Sequence, residues 1–217
     1  MKDLLIFGSS SNITKELMIS LKNNYDIKAL GSNSKPKLNV DCLDILNIED
    51  ELKNYEYFVF NIGVLYPKRI LEQNHDEIIH SLKLNLLYIV KCCEFIIENN
   101  DMAKIIIVGS ESGKKGSYDT SYFLSKAALR AYVREKKLAH KEQQILLISP
   151  SVIEDAGMTL RRKDVSNLES NKLSHPKQRL LKSKEVASII SMIIQDKMDY
   201  ISNTEIEVNG GKFARMD

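Results

Sequence analysis

The stretch Leu4-Leu5-Ile6-Phe7-Gly8-Ser9-Ser10-Ser11-Asn12-Ile13-Thr14 passes from an apolar run, through a turn of small residues, into a segment of helical spacing. Four consecutive apolar residues ending at a glycine suit a strand buried on both faces. Asn12–Lys22 then carries its apolar residues at the period of a helix. A tight turn that feeds a helix N-terminus suits a pyrophosphate, because free N–H groups and the helix dipole both favour an anion. Gly8, Ser10, Ser11, Asn12 and Ile13 are the candidate contacts. This stretch holds one glycine, so a plain turn with serine caps explains it about as well when it is taken alone.

The same alternation continues along the chain. Ile27–Leu30, Tyr57–Asn61, Ile105–Gly109, Ile145–Ser149 and Glu205–Val208 read as strands, with a weaker one at Leu38–Asp41. Between them Asp76–Glu98, Ser121–Ala139 and Lys184–Gln195 read as helices, and Ile48–Lys53 as a short one. Nearly all-apolar strands separated by helices predict an α/β fold: a doubly wound parallel sheet of about seven strands in a single domain spanning residues 1–217.

Composition narrows the function. A net charge of +2 argues against a dedicated nucleic-acid binder. Cys42, Cys92 and Cys93 lack the paired spacing of a zinc site or a disulfide framework, so reduced thiols and no metal are expected. The first turn, at Gly8, comes too early for a signal peptide, and no apolar run approaches the ~20 residues that cross a bilayer. A cytoplasmic protein without membrane attachment is expected.

In such a sheet, ligands bind beyond the carboxyl ends of the strands. Asp44, with Ile45, follows the third expected strand, where a carboxylate could accept from an adenine amino group; a helix N-cap is the alternative. Asn61-Ile62-Gly63 ends the next strand, and Gly63 would let the backbone approach a ribose closely. Tyr122 and Lys126 stand four residues apart, on one helix face, where a cation lowers the pKa of a phenol. Tyr132 and Lys136 repeat the spacing, roughly 15 Å further along the helix and away from the carboxyl edge of the sheet. Tyr122 is therefore the candidate, and Tyr132 a surface or interface residue.

Taken in order, these motifs resemble the short-chain dehydrogenase/reductases over essentially the whole chain, a Rossmann-type family. Tyr122-Phe123-Leu124-Ser125-Lys126 is similar to the family's Tyr-x-x-x-Lys, and Ser110 in Gly109-Ser110-Glu111-Ser112-Gly113 to its catalytic serine. Asn85 resembles the asparagine that anchors a proton-relay water. Asn61-Ile62-Gly63 resembles Asn-Ala-Gly, Pro150-Ser151 resembles Pro-Gly, and Val208-Asn209-Gly210-Gly211 resembles Val-Asp-Gly-Gly. The resemblance implies hydride exchange between a nicotinamide and a small carbonyl or alcohol. Tyr122 would act as general acid/base, Lys126 would hold the ribose and Ser110 would orient the carbonyl oxygen. Pro150, Ser151 and Ile153 would contact the cofactor.

The chain departs from the family's Gly-x-x-x-Gly-x-Gly turn at Asn12 and Thr14, and Asn12 is expected to keep the turn because asparagine tolerates positive φ. After the second strand, Ser32, Asn33 and Lys35 occur without a carboxylate, which favours NADP over NAD. An excursion at about residues 154–184 occupies the position of the family's substrate loop. Its Arg161–Lys184 part holds eight basic residues against Asp164 and Glu169, which suggests an anionic group on the substrate. The long helices resemble those through which the family forms homodimers and homotetramers. The alternatives are a non-catalytic nucleotide-binding or sensor protein and, less favoured for want of a C-terminal substrate domain, a sugar-nucleotide epimerase or dehydratase.

Overall fold

The computed structural model describes residues 2–161 and 165–214. Strand β1 (Lys2–Phe7) leads through the glycine–serine turn into helix α1 (Asn12–Leu21) and then β2 (Ile27–Leu30). Ser11 caps α1 by accepting from the Ile13 N–H, which starts the helix. A short 3-10 turn at Leu46–Ile48 and helix α2 (Glu49–Asn54) precede β3 (Tyr55–Phe60). Helices α3 (His75–Leu82) and α4 (Tyr88–Asn99) follow, and then β4 (Lys104–Val108) and the short α5 (Ser112–Lys115). Helix α6 (Thr120–Glu135) leads to β5 (Gln144–Pro150). Helices α7 (Gly157–Leu160), α8 (Val165–Leu173) and α9 (Ser183–Gln195) come before β6 (Thr204–Val208).

The strands form one parallel sheet in the order β2-β1-β3-β4-β5-β6. Every residue of β4 and β5 is buried, as expected of strands covered on both faces. One face packs Leu5, Phe7, Phe58, Ile105 and Leu147 with Cys92, Ile96 and Leu129 of α4 and α6. The other packs Leu4, Ile6, Val59, Ile106 and Leu146 with Leu17 of α1 and Ile190 of α9. The chain leaves β1 for β2 on one side and returns to β3 on the other, so the order reverses between β1 and β3. That is where such sheets bind ligands.

Three expectations change. Among the described residues the sheet has six strands, because Leu38–Asp41 does not join it. Leu38 and Val40 pack into the core from a loop, while Asn39 forms an isolated antiparallel bridge with Asp44 across a turn in which Leu43 takes φ of 52°. The expected 76–98 helix is interrupted by a π-helical turn at Lys83–Leu87. Helix α6 stops at Glu135, short of Ala139, where the Asn203 side chain donates to the Val133 and Lys136 carbonyls.

Candidate active site

A cleft of about 990 Å3 runs along the carboxyl edge of the sheet. Gly8, Ser10, Ser11, Ile13, Ser32, Asn61, Ile62, Gly63, Ser110, Tyr122, Lys126, Pro150, Ser151 and Ile153 all line it, so most of the sequence candidates meet in one place.

At one end of the cleft, Asp119 fixes helix α6. Its buried carboxylate accepts from the Tyr122 N–H at 2.9 Å and from the Gln73 amide at 2.9 Å. Tyr122 and Lys126 therefore sit in the first two turns of the helix, facing the sheet edge. Ser110, just past β4, stands near enough to the Tyr122 hydroxyl to lower its pKa, and both line the cleft. Lys126 is 3% exposed; its ammonium donates to the Val108 carbonyl at 3.0 Å and lies 5.7 Å from the Tyr122 ring centre.

The electrostatics differ from the expectation of a phenol made acidic by a neighbouring cation. Burial pushes Tyr122 up to about 12, against a lowering from nearby Ser110, and the Asp119 charge raises it further. Burial also pushes Lys126 down to about 8. Desolvation dominates both shifts because both groups are enclosed. The phenol is thus held protonated at neutral pH, ready to donate.

Asn85 stands apart from the other three. It lies in the π-helical turn and is fully buried, but it does not line the cleft. Its side chain accepts from the Val64 N–H at 2.9 Å and donates to the Val64 carbonyl and the Ser81 hydroxyl, both at 3.0 Å. With both amide hydrogens and one lone pair of its oxygen so used, it fastens the loop leaving β3. Tyr132, the second copy of the motif, is half-buried and donates to Glu94 of α4 at 2.7 Å.

At the other end, Gly8 adopts φ of +114°, and a Cβ there would stand 2.4 Å from the Asn61 carbonyl oxygen. The turns after β1 and β3 thus touch, which leaves the Ser9–Ser11 backbone and the N-terminus of α1 open to the cleft. A Cβ on Gly63 would come within 3.1 Å of both the Asn85 side chain and the Met158 methyl. A long cleft with a phosphate-sized turn at one end and a phenol at the other fits an extended dinucleotide. Gly8, Ser10 and Ser11 would hold its pyrophosphate, and Lys126 the nicotinamide ribose.

Five cofactor candidates fall outside the cleft. Asn12 is the first residue of α1 and is not among the positive-φ residues; its amide donates to the Asp155 carbonyl, tying α1 to the segment after β5. Asp44 accepts from the Leu46 N–H within its own turn, and Ile45 belongs to the core. Asn33 is exposed in the loop after β2, as is Lys35, whereas Lys37 lines the cleft. Sequence reading also passed over Glu111, Thr159 and the cleft-lining role of His80. Of these, Glu111 carried a visible signal, a carboxylate directly after the candidate serine. It is buried, paired with Lys115 and with Lys212 of the C-terminal turn.

The basic excursion is mostly turned elsewhere. Arg161 lines the cleft, but Arg179 is paired with Glu185 and Lys172 with Glu169. Arg162 and Lys163 lie outside the described residues.

The family model described as Enoyl-(Acyl carrier protein) reductase matches residues 45–212, well over half of the chain. A curated relative, the 3-oxoacyl-[acyl-carrier-protein] reductase of Buchnera aphidicola subsp. Baizongia pistaciae, is 25% identical over 98% of this chain and 97% of its own. Among solved structures, a short chain dehydrogenase family protein from Francisella tularensis superposes with a TM-score of 0.84 at 21% identity, covering 99% of this chain and all of that one. BdcA in complex with NADPH superposes with a TM-score of 0.81 at 18% identity, covering 96% of this chain and 93% of that one. The chain belongs to the short-chain dehydrogenase/reductase family of NAD(P)-dependent oxidoreductases.

Proposed function

We propose that this protein reduces a carbonyl compound with NADPH, with Ser110, Tyr122 and Lys126 as the acting residues. The observation that carries the reading is the meeting of Ser110, Tyr122 and the buried Lys126 at one end of the cleft. When bound, the nicotinamide supplies hydride to the carbonyl carbon. Ser110 donates to the carbonyl oxygen as negative charge develops there. Tyr122, a protonated phenol, gives its proton to that oxygen and takes one back in the reverse direction. Lys126 holds the nicotinamide ribose against α6. Asn85 acts at one remove, by fixing the loop that carries Gly63.

NADPH rather than NADH is supported by Ser32 and Lys37 at the end of the cleft near β2, where neither is a carboxylate that would repel a 2′-phosphate. The NADPH complex of the similar BdcA agrees with this. The substrate carries an anionic group held by Arg161; a thioester on an acyl carrier, as in the name of the Buchnera relative, has that character. The protein works in the cytoplasm as a homodimer or homotetramer; among the described residues no helix is long and apolar enough to cross a membrane.

The test is NADPH oxidation across a panel of ketones, aldehydes and short 3-oxoacyl thioesters, with Tyr122→Phe as control. Turnover in the wild type that the variant lacks supports the reading. NADPH binding without Tyr122-dependent turnover of any panel member would favour a nucleotide sensor.

A further inference from the structure

Thr14 occupies the centre of the contact between the two turns that form the nucleotide end of the cleft. It is fully buried, on the first turn of α1. Its hydroxyl donates to the Gly8 carbonyl at 2.7 Å and accepts from the Asn61 amide at 3.2 Å. The Gly8 carbonyl also takes the Ser11 N–H at 3.1 Å, so one oxygen receives both the turn's closing bond and the helix's hydroxyl. Asn61 in turn donates its backbone N–H to the Phe7 carbonyl at 2.8 Å. A glycine at position 14 would leave the Asn61 amide without this partner and the turn held by its backbone alone.

We propose that Thr14 is a positioning residue for the cofactor: its hydroxyl pins the Gly8–Ser11 turn to Asn61 and so sets the direction of the N–H groups that receive the pyrophosphate. The inference rests on the reading of the cleft as an NADPH site. It gives the turn a second way to be held in the conformation set at Gly8. A fully buried hydroxyl with both its donor and acceptor used is costly to delete, since the Asn61 amide loses this partner and the Gly8 carbonyl one of its two.

The experiment compares Thr14→Val, which keeps the shape and removes the hydroxyl, with Thr14→Ser, which keeps the hydroxyl and removes the methyl. NADPH affinity is read from quenching of its fluorescence or from calorimetry, alongside steady-state kinetics and melting of the cofactor-free proteins. Thr14→Val should weaken NADPH binding about tenfold and raise the KM for NADPH by a similar factor, with a much smaller change in kcat at saturating cofactor. Thr14→Ser should stay within about threefold of wild type. Equal affinity of the valine variant and wild type would overturn the pin. So would a serine variant as weak as the valine one, which would assign the effect to packing; the serine result stands even where the valine variant fails to fold. Wild-type protein that does not bind NADPH would overturn the cofactor reading itself, a result distinct from either.

Discussion

Replacing Lys126 by methionine should make the cofactor-free protein more stable at neutral pH and abolish its activity. The ammonium is 3% exposed, makes a 3.0 Å bond to the Val108 carbonyl and faces the Tyr122 ring, and burial lowers its pKa from 10.5 to about 8. A shift of that size corresponds to about 3 kcal/mol of destabilisation for the charged form at pH 7. Methionine has a similar unbranched shape and removes the charge, while the lost bond to Val108 costs about 1 kcal/mol. The net gain is about 2 kcal/mol, or roughly 4–8 °C in Tm for a chain of this size. The sign depends on pH. A lysine with a depressed pKa in the fold costs stability at neutral pH, and that cost fades as pH rises from about 8 toward 10.5, where the folded lysine is neutral. The advantage of the variant should therefore shrink between pH 7 and pH 10. Calorimetry of both cofactor-free proteins at the two pH values is the assay. A variant that melts below wild type at pH 7, or a difference that does not change with pH, would refute the assignment of Lys126 as an ammonium held against its desolvation.

Tyr122→Phe should reduce kcat by roughly 10²- to 10⁴-fold, the usual worth of a positioned proton donor, with NADPH affinity within a few-fold of wild type; steady-state kinetics and fluorescence titration check the two halves. Because Tyr122 is pushed up to about 12, alcohol oxidation should keep rising with pH beyond pH 9, as the phenolate it needs accumulates; a plateau near pH 7 would contradict this. Arg161→Met should raise the KM for an anionic thioester about tenfold and leave a neutral ketone nearly unaffected, as measured by the ratio of the two kcat/KM values.

The layered fold was legible because the buried strands are nearly all apolar and the helices between them carry a helical period. The exception is instructive. Leu38 and Val40 alternate like a strand, but they are anchored into the core by a loop whose turn at Leu43 folds the chain back on itself. Alternation records which side chains are buried, not whether the backbone has a partner. The proposed catalytic residues were legible for a different reason: Tyr122, Lys126 and Ser110 would act through their side chains, so their identity is written in the chain. Asn12, Asn33, Asp44 and Ile45 lie outside the cleft: proximity to a strand end does not say which way a side chain turns. Asn12 turns to Asp155, and Ile45 into the core. Lys37, Thr159 and Arg161 reach the cleft through loops whose paths have no periodic signature.

The two ends of the cleft therefore tolerate sequence change unequally. A pyrophosphate is gripped by backbone N–H groups and a helix N-terminus, which nearly any residue supplies once the turn has the right shape. The shape depends on few positions: Gly8, whose φ of +114° and 2.4 Å clearance admit no side chain, and the contact to Asn61 that Thr14 secures. Asparagine and threonine in place of two glycines leave that geometry standing, because Asn12 lies within a helix that needs no glycine and Thr14 finds partners for its hydroxyl. Proton transfer has no such latitude. It needs a hydroxyl of defined acidity at one point, and Ser110, Asp119 and Lys126 surround Tyr122 to place it there. A missing glycine at the turn is thus weaker evidence against function than a missing side chain beside Tyr122 would be, and the chain keeps the side chains.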